Sequence, residues 1–184
     1  MAAPISIIIP TQVDADAIGP TLAALAEGLG AGLIRELILS DGDSGDGIGD
    51  VAEAAGARLI IGPGGQAAQV QRGAEAATGA WLLILAADAR PLPGWPTAAA
   101  RHLEKHRDSA GRFTPVAAGR LSRLRWTLLP PRDLACGLLI RRATLDRVGG
   151  FPGGPRPVAR LARALGPGGL RRLPHGIAVP TART

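Results

Sequence analysis

Five aspartates and the glycines around them are the residues of this chain best suited to chemistry. Asp41, Asp43 and Asp46 fall in the segment Ser40-Asp41-Gly42-Asp43-Ser44-Gly45-Asp46-Gly47, and Asp14 and Asp88 stand in two other polar stretches. A carboxylate in such a loop can accept hydrogen bonds from a base or ribose, or hold a hard divalent cation that bridges a diphosphate. Glycines beside it let a ligand lie against the backbone. Aspartate and glycine are also ordinary loop and helix-cap residues, and for Asp43 and Asp46 that structural role is the expectation.

An open α/β sheet would bring these residues to one place, because ligands bind outside the carboxyl ends of its parallel strands. The sequence reads that way. Residues 5–9 are a β-branched apolar run closed by Pro10, and Ile18, Leu22, Leu25 and Leu29 follow at the spacing of a helix with one buried face. Strands are expected at 33–40, 57–61 and 81–86, with helices near 48–55, 66–78 and 95–106. Asp14 then follows the first strand, the Asp41 segment follows the second, and Asp88 follows the fourth. Alternation of this kind implies parallel strands joined by right-handed crossovers. Beyond it, residues 111–133 read as a mixed segment with one short strand and one short helix. A buried strand at 134–140 and helices at 143–148 and 158–165 complete the pattern.

Competing motifs fit less well. In an EF-hand reading of the Asp41 segment, Gly45 would occupy the third ligand position and Ala52 that of the closing glutamate. Neither a Walker pattern nor Gly-x-Gly-x-x-Gly follows the first strand, so ordinary NTPase and dinucleotide readings lack their phosphate cradle.

At 184 residues, with 46% hydrophobic and 20% charged, the chain suits one folded α/β domain. The absence of a long apolar run or basic leader leads to the expectation of a cytoplasmic protein. A single cysteine, Cys136, precludes an internal disulfide and is expected to be core filler. The net charge is +6, carried by arginine except for Lys105, and no acidic residue follows Asp146. Arg147, Arg156, Arg160, Arg163, Arg171, Arg172 and Arg183 lie beyond that point, which suggests contact with phosphate or with a membrane surface. Nucleic acid is not expected, since Phe151 is the only aromatic residue available for stacking in that stretch.

Three segments, Ser6 to Thr11, Leu39 to Gly47 and Leu85-Ala86-Ala87-Asp88, stand at the spacing typical of family 2 glycosyltransferases. The resemblance extends through Gly65 to Ala74, Ile84 to Pro93, Arg141 to Pro152 and Pro180-Thr181-Ala182-Arg183, so it covers nearly the whole chain. It implies a GT-A fold, a Rossmann-type, mostly parallel sheet flanked by helices in a single domain. Residues 1–93 would form the nucleotide-sugar half and 94–184 the acceptor side. By the same resemblance Pro10, Thr11, Asp14, Asp41 and Gly42 would meet the nucleoside, with Gly65 and Gln69 near it. Asp88 would be the retained carboxylate for a divalent metal, Mg or Mn. The implied partners are a nucleotide-diphosphate sugar and an unknown acceptor.

Departures from the family pattern bear on activity. Ala86 replaces the first member of the metal motif, Gln66 and Gln71 stand where arginine and asparagine are usual, and Ala135-Cys136 replace an Asp-Gln pair, with Asp133 two residues away. After Gly149-Gly150-Phe151-Pro152 the family expects a Glu-Asp pair carrying the catalytic base. Here Gly153-Gly154-Pro155-Arg156-Pro157 holds no carboxylate, so the base is unassigned. A positioned base contributes about 10² to 10⁴ in rate. His175 is the titratable residue downstream, read as a packing residue, and Arg156 and Arg160 are candidates to steady the diphosphate through paired donors. Two functional readings follow: a transferase of impaired activity, or an inactive nucleotide-sugar-binding or regulatory relic. A third is a basic module for anionic surfaces.

Overall fold

A computed structural model describes residues 3–116, 134 and 137–178. Strand β1 (Ile5–Thr11) leads to α1 (Gly19–Gly30), β2 (Ile34–Asp41), α2 (Ile48–Ala54), β3 (Arg58–Ile61), α3 (Gln66–Ala76) and β4 (Trp81–Ile84). Then come β5 (Arg90–Pro91), α4 (Trp95–Lys105), β6 (Ala110–Val116), β7 (Leu138–Arg141), α5 (Arg142–Arg147), α6 (Pro157–Leu165) and β8 (Leu170–Ala178). The strands form one sheet in the order β3-β2-β1-β4-β7-β6-β8-β5. The first four are mutually parallel, β7 is antiparallel to both β4 and β6, β6 and β8 are parallel, and β5 is antiparallel to β8.

The side chains of β1 alternate between two cores. Ile5, Ile7 and Ile9 face α1, α2 and α4 through Leu25, Ala52 and Trp95. Ile8 faces α3, α5 and α6 through Val70, Leu145 and Leu161. With both faces covered, a parallel strand reads as an unbroken apolar run, which is why β1 is so plain in the sequence. Each of these isoleucines is fully buried, worth roughly 1.5–3 kcal/mol apiece.

Order β3-β2-β1-β4 puts the carboxyl ends of four adjacent strands along one edge, hereafter the rim. Helices α1, α2 and α3 each leave the rim to reach the start of the next strand. Helix α6 is followed after residues 166–169 by β8, whose start pairs with the start of β6 at the edge away from the rim.

Three expectations need correction. Leu29, placed on the buried stripe of α1, is 65% exposed. The stripe is instead Thr21, Leu25 and Gly28, because the Trp95 ring fills the space over Gly28, where a Cβ would lie 2.2 Å from Cζ2. The strand expected at 134–140 begins only at Leu138, after Gly137 turns the chain at φ 58°. Strand β8 was not anticipated. Three of its residues, 173–175, lie opposite the single residue Phe113 of β6, and this bulge accommodates Pro174, which has no N–H to give a ladder. Of the segment at 111–133, residues up to Val116 form most of β6; the rest lies outside the described residues, as do Asp133, Ala135, Cys136 and the stretch 180–183. No described helix is long and apolar enough to cross a membrane.

Candidate functional site

The rim is assembled where β1 and β2 end side by side, with Thr11 in register with Asp41. Thr11 Oγ1 donates to Asp41 Oδ1 at 2.9 Å, and the Ser44 amide donates to Asp41 Oδ2 at 2.7 Å. Asp41 is thereby almost wholly enclosed, at 1% exposure. The Ser44 hydroxyl lies 3.1 Å from both Asp41 oxygens and 2.7 Å from Asp46 Oδ1. Its single proton is shared between two carboxylates.

Asp46 ties the two loops together. Its Oδ2 accepts the Asp14 and Ala15 amides at 2.7 and 2.9 Å, and its Oδ1 accepts the Ile48 amide at 3.3 Å at the start of α2. Burial pushes the Asp46 carboxyl up, but the hydrogen bonds from Ser44, Ala15, Asp14 and Ile48 together outweigh it and hold the group below its ordinary range. The loop role expected for Asp46 is the one the structure gives it. Asp14, half-buried, accepts the Gln12 amide at 3.0 Å. Asp43 sits exposed in the left-handed region at φ 69°, a conformation aspartate tolerates better than most residues.

Behind these carboxylates is an amide floor. Buried Gln69, on α3, donates from Nε2 to the Thr11 carbonyl at 2.6 Å and lies 3.4 Å from Gln12 Oε1. Gly42 also donates to the Thr11 carbonyl, at 3.0 Å. A Cβ at Gly42 would meet Gln12 Oε1 at 2.3 Å and Gln69 Nε2 at 2.7 Å, so a side chain there would push these two amides aside. Pro10 is buried within β1, and Gly65 is exposed where the chain enters α3.

Three residues that sequence reasoning passed over shape the same place. Arg72, one turn beyond Gln69, donates to the carbonyls of Asp41, Gly62 and Pro63 and so clamps the ends of β2 and β3 to α3. Gln12 and Ser44 supply the contacts described above. Spacing could have flagged Arg72, which lies three residues after Gln69 on one helix face; Gln12 and Ser44 look like ordinary loop residues until their partners are seen.

Asp88 is half-buried in the loop just past β4, between the buried Ala87 and Ala89. Because β2 and β4 flank β1 in parallel, Asp41 and the loop that carries Asp88 follow strands two spacings, or about 10 Å, apart at the rim. Two positions before Asp88, Ala86 offers no side-chain donor. Among the described residues no three His, Cys, Asp or Glu side chains come together in a way that could hold a metal ion. A lone carboxylate suits Mg²⁺ or Mn²⁺ only if the remaining oxygens come from a diphosphate and water, which is how Mg²⁺ is commonly held.

Beyond Phe151, Arg156 is exposed in the left-handed region at φ 55°, where α6 begins. Arg160 Nη1 donates to the Gly153 carbonyl at 2.7 Å, which commits part of its guanidinium to the loop. Neither Gly154 nor Pro155 has an acidic neighbour in sequence. His175 donates from Nε2 to the Leu92 carbonyl at 2.9 Å, a packing role.

Across residues 6–160 the chain matches the profile of Glycosyl transferase family 2. No match was found among curated proteins. Among solved structures, glucosyl-3-phosphoglycerate synthase from Mycobacterium tuberculosis, in complex with Mn²⁺, UDP and glucosyl-3-phosphoglycerate, is 20% identical with a TM-score of 0.73. That superposition covers 98% of this chain and 72% of the synthase. The 1–349 portion of S. aureus TarS in complex with UDP-GlcNAc is 16% identical with a TM-score of 0.74, covering 98% of this chain and 59% of TarS. A mycobacterial protein 23% identical gives a TM-score of 0.72, covering 98% and 68%. At these identities the structures attest a shared GT-A fold, and the profile match over most of the chain attests the family. The chain belongs to glycosyltransferase family 2.

Proposed function

We propose that the chain binds a nucleotide-diphosphate sugar along the rim and transfers its glycosyl group to an acceptor, at a rate limited by the lack of a carboxylate base after Phe151. The observation that carries this reading is the convergence of Thr11, Asp14, Asp41, Gly42 and Gln69 at the ends of β1 and β2, with Asp88 past the end of neighbouring β4, in a chain of this family. Two solved relatives of the fold are complexed with UDP or UDP-GlcNAc, one of them also with Mn²⁺. In this reading Pro10, Thr11 and Gly42 present backbone to the nucleoside, Asp14 and Asp41 hold the loops that contain it, and Gly65 and Gln69 close the floor.

A divalent ion arriving with the diphosphate would offset leaving-group charge, with Asp88 as its protein ligand. Arg156, just before α6, and Arg160, in its first turn, would add donors to the same phosphates. Residues 94–184 would then carry the acceptor. The inactive binding relic is the second reading, favoured by the acid-free sequence after Asp146. Contact of that basic part with a membrane surface is a separate proposal, marked by affinity that falls steeply with salt.

Calorimetry with UDP and GDP, with and without Mn²⁺, tests the binding. The expected result is nucleotide affinity that Mn²⁺ increases in the wild type and leaves unchanged in Asp88→Ala. No binding of either nucleotide would end the proposal. Release of free sugar from the matching sugar nucleotide distinguishes the enzyme from the relic, which would bind without turnover.

A further inference from the structure

A pocket of about 400 Å³ opens between the C-terminal half of α4 and the first half of β8. Its place is the edge opposite the rim. The His102 ring there packs edge-on against Trp81, the first residue of β4, at 5.9 Å between centroids. The length of β1 separates the two edges, about 20 Å for seven residues.

Arg101, Lys105, Arg171 and Arg172 line this pocket together with His102 and His106. Arg101 and Lys105 are one turn apart on α4, an arrangement of like charges that weakens a helix when nothing neutralises it. All four cations are exposed, and no hydrogen bond or ion pair ties their charged ends to another described residue. Glu104 and Asp108, the acidic residues nearest in sequence, do not line the pocket. The floor is firm: His102 is buried and held by the Ser109 carbonyl at 2.9 Å, and Leu173 is buried beneath it. Burial, reinforced by repulsion from the neighbouring His106 and Arg171 and opposed by the Ser109 hydrogen bond, holds the His102 ring below its ordinary range.

We infer that this pocket is a second anion site, separate from the rim, that takes a multiply charged phosphoryl group. Four cations with no acidic partner among the described residues, set on two elements around a concavity with a fixed floor, match such a group in charge and donor number. The inference does not depend on the rim binding a nucleotide. The phosphoryl group could belong to a soluble phosphate compound or to a lipid headgroup, and the two sources are separable.

The test follows the His102 and His106 ring signals by NMR while inorganic pyrophosphate is added to the full chain without divalent metal. Saturable shifts of these signals are expected. Affinity should fall about tenfold or more in the double variant Arg101→Gln/Arg172→Gln, as loss of charge-assisted hydrogen bonds requires. The control Arg147→Gln/Arg163→Gln removes the same net charge from α5 and α6 and should stay within about twofold of wild type. In parallel, cosedimentation with phosphatidylglycerol vesicles, against phosphatidylcholine as blank, identifies the source. Vesicle binding lost in the pocket variant alone assigns the site to a headgroup, and pyrophosphate binding without vesicle binding assigns it to a soluble ligand. The inference is overturned if neither ligand binds, if the histidine signals do not move with pyrophosphate and vesicle binding is unaffected by the pocket variant, or if both double variants lose binding equally.

Discussion

Removing the Asp46 carboxylate is the most direct way to ask whether the rim is held as described. Asp46→Ala strips four hydrogen bonds, two of them short ones from the Asp14 and Ala15 amides that fasten the loop after β1 to the loop after β2. Those amides are half-buried and partly recover solvent, so each lost bond is taken at a net value of about 0.5–1 kcal/mol rather than the full desolvation penalty. With a few tenths for the carboxylate at the start of α2, the four bonds give a total of about 2–4 kcal/mol. For a domain of this size that corresponds to a Tm lower by at least roughly 4–8 °C. The pH dependence has a definite sign. The folded-state pKa of Asp46 is below its unfolded value of about 3.9, so its contribution is complete above that pH and fades as pH falls through the folded pKa. Urea denaturation of wild type and Asp46→Asn should therefore show a gap that is constant from about pH 7 to 5 and narrows below about 4. A gap that does not change down to about pH 3, or an Asp46→Ala variant within about 0.5 kcal/mol of wild type, would refute the latch.

Two further substitutions separate packing from binding. Gly28→Ala forces a methyl to within 2.2 Å of the Trp95 ring, which is fully buried and anchored by its Nε1 donating to the Ala24 carbonyl at 3.1 Å. Overpacking of about 1–3 kcal/mol is set against a helix-propensity gain of at most about 1, so denaturant melts should show net destabilisation of roughly 1–2 kcal/mol, and a stabilised variant would mean that Trp95 moves freely. Gly42→Ala collides only with the ends of two glutamine side chains. Its Tm should change by no more than about 2 °C while nucleotide affinity falls by about tenfold in calorimetry, and an unaltered affinity would remove Gly42 from the binding surface.

The elements that build the rim were legible because they carry strong, uninterrupted signals. Apolar runs mark β1, β4 and Leu37-Ile38-Leu39 of β2, and glycine-rich segments follow α1, β2 and β3. Strand β8 was illegible for a physical reason: Pro174 and Gly176 interrupt its alternation, and only the bulge opposite Phe113 makes that sequence compatible with a ladder. Two-residue β5 is too short to leave a periodic trace. Within the site, the Asp-Gly loop and Asp88 could be read in advance as rim residues. The division of labour among the carboxylates could not, because it depends on which amide each oxygen meets: Asp46 serves Asp14 and Ala15 across a separation of more than thirty residues. Leu29 shows the complementary error, since periodicity marks an apolar stripe but does not say that Gly28 will be the residue left small for a tryptophan from α4.

The guanidinium of Arg72 carries a consequence for recognition. With one side chain gripping three carbonyls at the ends of two strands, the helix and the strand tips form a single stiff ledge, fixed before any guest arrives. A molecule that lands there has little backbone to freeze, and the ordering cost that weakens association with floppy loops is largely avoided. If the proposed nucleotide sugar binds here, selectivity on this side of the sheet would come from shape already cast in the free protein, and discrimination between similar guests would show up mainly in how long each one stays.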